Sequence, residues 1–106
     1  MADTQHPMRL RVKRAEGRVT VKLLIAHPMD TGLAKDADGH IVPAWFIRQV
    51  EAWVDDTRVL AADWGTAVAR NPFLEFELES AVAGATLRLR WRDSQGLSGE
   101  DSVELP

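Results

Sequence analysis

Apolar residues recur at every second position along most of this chain, in short runs separated by polar and turn-forming residues. A period of two belongs to β-strands with one buried face, so helix is expected to be scarce. In "MRLRVKR" Met8, Leu10 and Val12 alternate with Arg9, Arg11 and Lys13, and beyond the Glu16-Gly17 turn "RVTVKLLIA" aligns Val19, Val21, Leu23 and Ile25. "AWFIRQVEAWV" sends Phe46, Val50, Ala52 and Val54 to one side and Trp45, Ile47 and Trp53 to the other, with Arg48 interrupting the first row. Asp55-Asp56-Thr57 marks a tight turn into "RVLAADW", and residues 65–72 form a connection with room for one helical turn. "PFLEFELES" points Leu74, Phe76 and Leu78 inward and Glu75, Glu77 and Glu79 outward, while "TLRLRW" points Leu87, Leu89 and Trp91 inward and Arg88, Arg90 and Arg92 outward. The acidic and basic rows are complementary, which predicts cross-strand pairs between them. "LSGEDSVEL" supplies a last strand with Val103 and Leu105 as its apolar positions.

Short strands with turns every 8–12 residues or so predict an all-β fold: an immunoglobulin-like or fibronectin-like antiparallel β-sandwich of about seven strands, with a barrel as the alternative. The 106 residues suit one domain over residues 1–106, and 45% hydrophobic against 27% charged residues is enough apolar surface for one core. Cysteine is absent, which removes disulfides, thiolate ligands and any sulfur nucleophile from this chain, and leaves four Trp and three Phe to supply much of the core. A net charge of −3 provides no basic field to collect phosphate backbones, so nucleic acid is not an expected partner. No stretch approaches the roughly 20 apolar residues of a membrane span, and the polar first residues lack the apolar run of a signal peptide.

Catalytic patterns are missing too. The glycines form no phosphate-binding motif, the serines no nucleophile elbow, and a Ser-His-Asp set assembles only by arbitrary choice among scattered residues. The chain is therefore expected not to be an enzyme and to need no cofactor.

One segment breaks the alternation: "AHPMDTGLAKDADGHIVP", residues 26–43, with His27, Met29, His40 and the carboxylates Asp30, Asp36 and Asp38. Connections this long in a compact domain are more often functional than idle. "DADG" resembles the start of a calcium loop, but that register puts Ala34 at the first ligand position and Trp45 where a bidentate Glu belongs. Imidazole and thioether suit copper, so His27, Met29 and His40 form a candidate metal site, set against a structural histidine at a strand end and a polar hairpin tip at Asp38-Gly39. Pro28 biases His27 toward extended backbone, Pro43 does the same to Val42, and Gly32 and Gly39 permit positive φ.

Over these residues the chain resembles the SoxZ family, one subunit of the thiosulfate-oxidising Sox system. The family pattern of His-Pro-Met-x-Thr-Gly, an Asp-x-x-Gly turn and Ile-x-Pro is carried by His27, Pro28, Met29, Thr31, Gly32, Asp36, Gly39, Ile41 and Pro43. Ala62, Asp63, Asn71, Pro72 and Phe73 match a second segment, and Trp91, Asp93 and Gly96 a Trp-x-Asp-x-x-Gly close. The resemblance implies a non-catalytic sandwich subunit in a sulfur carrier. Its partner, SoxY, holds sulfur intermediates on a cysteine of a flexible arm while other Sox enzymes visit. It also implies a periplasmic location, reached by export with the partner. Because this chain has no cysteine, the heterodimer would be noncovalent. Residue types make His27, Met29, Asp30, Thr31, Trp45 and Phe46 the expected partner contacts, as aromatic anchors beside a polar rim; a core position for Trp45 and a structural role for His27 stay open.

Overall fold

The computed structural model describes residues 8–79 and 81–106; the amino-terminal residues on which the signal-peptide reading rests lie outside them. Seven strands follow in order: β1 (Met8–Ala15), β2 (Arg18–Ile25), β3 (Ile47–Val54), β4 (Thr57–Asp63), β5 (Phe73–Glu79), β6 (Thr86–Asp93) and β7 (Ser98–Glu104). They form two antiparallel sheets, β1-β2-β5 and β4-β3-β6-β7, which pack as a sandwich without helix among the described residues. The all-β sandwich read from the alternation is the observed fold.

The inner row of β2 shows why the alternation fixes a face. Val19, Val21, Leu23 and Ile25 are 0–1% exposed, while Lys22 and Leu24 between them stand outside and Thr20 is half-buried. Leu87, Leu89 and Trp91 of β6 and Val50 and Ala52 of β3 close the core from the opposite sheet. Its fully buried part is mainly aliphatic: Trp91 is the one Trp at 0%, Trp45, Trp53 and Trp64 are half-buried, and Phe73 is 60% exposed. Aromatic residues thus contribute less of the core than their number suggested. Gly99 on β7 lies directly against Trp91, where a Cβ would meet the indole Cε2 at 2.6 Å.

Three expectations change. First, Ile47 shares the buried face with Val50, because Ile47 pairs with Asp93 and Gln49 with Arg92, leaving Arg48 as the extra residue of a β-bulge. Second, the glutamates of β5 do not meet the arginines of β6, which lie in the other sheet. Glu75 and Glu77 instead face Lys22 at 3.8 Å and Arg18 at 3.5 Å on β2. The β6 arginines find Glu51 and Glu100 in their own sheet, and Arg88 and Arg90 also stack on Trp53, at 4.2 and 5.2 Å from its ring centre. Third, residues 65–72 hold a hydrogen-bonded turn, Val68 N–H to Gly65 O, rather than a turn of helix.

Candidate functional site

At one end of the sandwich β2 ends, β3 begins, β5 begins and β6 ends, and the long connection crosses that end. Its first half is pinned from several sides. His27 N–H donates to Asn71 Oδ1 at 3.1 Å and Asn71 N–H donates to His27 O at 2.9 Å, joining the loop to the entry of β5. Asp30 and Trp45 exchange backbone hydrogen bonds of 2.7 and 2.9 Å, which closes the loop on itself. Phe46 N–H donates to Ser94 Oγ at 3.1 Å, and Ser94 N–H returns 2.8 Å to Phe46 O.

Beneath these contacts lies a buried polar network. His27 is 1% and Asp93 5% exposed, and His27 Nε2 stands 3.1 Å from Asp93 Oδ2. Met29 N–H donates to His27 Nδ1 at 3.1 Å, so Nδ1 is the bare nitrogen and Nε2 carries the proton given to Asp93. Trp45 Nε1–H donates to the same Oδ2 at 2.7 Å, while Gln95 and Leu97 N–H both reach Oδ1 at 2.9 Å. Burial pushes the Asp93 carboxyl up, but the hydrogen bonds from His27, Trp45, Leu97 and Gln95 together outweigh it and hold the group below its ordinary range. The His27 ring also packs edge-on against Trp45 and Trp91, with centroids 5.2 and 5.7 Å away.

Met29 follows with φ of 51°, a left-handed conformation that costs a non-glycine residue about 1–3 kcal/mol. The Met29 N–H bond to His27 and the Asp30–Trp45 bridge hold it there. Beyond Gly32 the loop becomes a short hairpin. Ala34 O accepts from Val42 N–H, and at the tip Asp36 Oδ1 accepts from Asp38 N–H at 2.9 Å and His40 N–H at 3.0 Å. Two large apolar side chains flank this hairpin with little cover, Leu33 at 86% and Ile41 at 62% exposure.

The six expected contact residues therefore divide. His27 and Met29 are buried and support the loop from behind, and Met29 also borders the recess beside it. Asp30, Trp45 and Phe46 are half-buried and Thr31 is exposed, its hydroxyl accepting from Leu33 N–H at 3.2 Å. Pro28, Asp30, Thr31, Thr66 and Arg70 line a shallow recess of about 320 Å³ between this loop and the turn before β5.

The set His27, Met29 and His40 is not assembled for copper. Both His27 ring nitrogens are engaged, and Met29 Sδ accepts from Ile47 N–H at 3.3 Å. Asp36, Asp38 and His40 bring potential ligand atoms within 4.8 Å of one another, but on the exposed hairpin tip, where Asp36 already shapes the turn. Asp93 and Asn71 were given no structural role by the sequence, though Asp93-Ser94-Gln95-Gly96 carries the sign of a side-chain-capped turn. Leu33 was missed as well: a single apolar residue between Gly32 and Ala34 has no periodicity to mark it.

No curated protein matches the chain. The family model described as sulphur oxidation protein SoxZ matches residues 8–104, and through that match, which spans nearly the whole sandwich, the chain belongs to the SoxZ family and to sulfur oxidation by the Sox system.

Proposed function

We propose that this chain is the non-catalytic subunit of a heterodimeric sulfur carrier. It scaffolds a SoxY-like, cysteine-bearing partner and helps present that partner's sulfur adducts to visiting Sox enzymes. The observation that carries the reading is the family match over residues 8–104 in a chain that has no cysteine of its own. Because no thiol exists here, the adduct must sit on another chain and the pair must be noncovalent. Such pairs bury about 1,200–2,000 Å². The loop end suits part of that surface: Leu33 and Ile41 are bare apolar side chains on a backbone fixed from below, with Asp30, Thr31, Trp45 and Phe46 beside them. The pair works in the periplasm, to which this chain travels with its partner.

Co-expression with a SoxY-like chain tests this. The wild type should co-purify as a stable complex that carries no sulfur-oxidising activity by itself. The double variant Leu33→Asp, Ile41→Asp should keep its unfolding midpoint, since both side chains are exposed, and lose the partner. A wild-type chain that stays alone when co-expressed with the SoxY-like chain would overturn the proposal, and retention of the partner by the double variant would remove the loop from the interface.

A further inference from the structure

Near the same end, on the outer face of the four-stranded sheet, the bulge of β3 has a second effect. Ile47 opposes Asp93 and Gln49 opposes Arg92, so Arg48 has no residue across from it on β6. Bulges re-aim side chains, and Arg48 stands exposed at the sheet surface. Its carbonyl accepts from Trp64 N–H at 2.8 Å, which seats the residue after β4 beside the bulge. Arg48, Gln49, Asp63, Trp64 and Arg92 together line a recess of about 460 Å³ that reaches down to Asp93.

Charge around this recess is unevenly matched. Three guanidinium groups share the Glu51 carboxylate, Arg90 at 3.1 Å, Arg58 at 3.4 Å and Arg92 last at 3.7 Å. Arg48 has no carboxylate oxygen within 4.0 Å among the described residues. Asp93 in the floor has its charge taken up by His27, Trp45 and two backbone N–H groups. Asp63 is the lining carboxylate without such partners among the described residues, and it opposes an anion. What faces the opening is thus two planar guanidinium forks, one least neutralised and one unpaired, beside an amide and an indole. Guanidinium forks match the paired oxygens of an oxoanion better than they match any neutral group.

We propose that this recess binds the oxoanion end of a sulfur compound, a sulfate-, sulfonate- or thiosulfate-like group held between Arg48 and Arg92. Sulfur is chosen over other oxoanions because the site rests on the sulfur-carrier reading. The anion is either free in solution or the charged end of an adduct carried on the partner.

Titration of the 106-residue chain with sodium sulfate, thiosulfate and an S-sulfocysteine peptide, at constant ionic strength and followed by NMR, tests the proposal. Saturable shifts should centre on the Trp64 indole and the amides of Arg48, Gln49 and Arg92. Arg48→Ala should weaken binding about ten-fold, Arg48→Lys less, and Asp63→Asn should tighten it. Preference for the peptide assigns the site to a carried adduct; preference for the inorganic anions assigns it to a free one. Shifts that do not saturate, or an Arg48→Ala affinity equal to wild type, would overturn the site. Arg48→Ala should still co-purify with the SoxY-like chain, so loss of anion binding and loss of the partner report on separate claims.

Discussion

Replacing Asp93 with Asn keeps the side chain's shape and turns one carboxylate oxygen into an amide NH₂, and the surrounding donors decide the cost. With the NH₂ on the Oδ2 side it faces Trp45 Nε1–H, which can only donate, and His27 Nε2–H. His27 cannot respond by moving its proton to Nδ1, because Met29 N–H already donates there. With the NH₂ on the Oδ1 side it faces the backbone N–H groups of Gln95 and Leu97. Either orientation strips two donors of their acceptor: the buried His27 Nε2–H with the part-buried Trp45 Nε1–H, or the part-buried N–H groups of Gln95 and Leu97. Bonds to a charged group are worth about 1.5–3 kcal/mol each, so the loss is about 3–6 kcal/mol before local rearrangement recovers part of it. Against a total stability of about 5–15 kcal/mol that is a large fraction. Urea unfolding at pH 7, followed by tryptophan fluorescence and circular dichroism, should show the midpoint of D93N lower by about 2 M, taking a slope of about 1–2 kcal/mol/M. A loss under about 1 kcal/mol would refute the reasoning, since it would mean that the four donors do not depend on the carboxylate.

The same group sets a pH dependence. Asp93 in the folded chain ionises below its ordinary value of 3.8, whereas in the unfolded chain it is an unperturbed carboxylate. The unfolded chain then binds the proton first as pH falls. Its stabilisation is complete above the ordinary carboxylate range and is lost as pH drops through the folded value, below about pH 4. D93N lacks the group, so its stability should decline less steeply there than that of the wild type. Parallel acid limbs for the two proteins would count against the assignment.

Two further perturbations probe the four-stranded sheet. Glu51→Gln leaves Arg58, Arg90 and Arg92 around a neutral amide; the hydrogen bond from Arg90 outweighs burial in holding the Glu51 carboxyl below its usual range, so the variant should lose about 1–3 kcal/mol at pH 7 and less at pH 3, by thermal unfolding at each pH. Gly99→Ala places a Cβ into the fully buried Trp91 indole, and overpacking there should cost about 1–3 kcal/mol in urea unfolding, with a shifted near-ultraviolet tryptophan signal, whereas Ser98→Ala next to it should change neither.

Strand existence was legible because β2, β5 and β6 each carry an uninterrupted period of two, and a buried face needs nothing else to declare itself. Which strands are neighbours is a different property. The outward glutamates of β5 and arginines of β6 are complementary in charge, yet alternation encodes faces and not sheet order, and β5 pairs with β2. The bulge at Arg48 was hidden for a related reason. One extra residue changes which side chains share a face without changing the composition of the run, so Ile47 looked opposed to Val50. In the long loop the turn residues were readable one by one, as with Asp36 and Gly39 at the tip. The burial of His27 was not, because it depends on Asp93, 66 positions away.

That long-range dependence also gives a buried histidine a place in a loop proposed above to meet the partner. Fixing a free backbone residue costs about 1–2 kcal/mol, so a partner meeting a mobile loop would have to supply several such terms before any contact counted. Here the base of the loop is fixed on folding, by Asn71, by the Asp30–Trp45 bridge and by Asp93 through His27 and Trp45. The His27–Asp93 tie is buried, and none of the ties uses the side chain of Leu33 or Ile41. Loosening the base should then weaken partner binding without removing any atom from the interface. His27→Ala leaves Leu33 and Ile41 in place but takes away the bond to Met29 N–H. A partner that associates more slowly and less tightly with H27A, while the isolated variant remains folded, is what preorganisation requires; an unchanged affinity would mean that the partner orders the loop by itself.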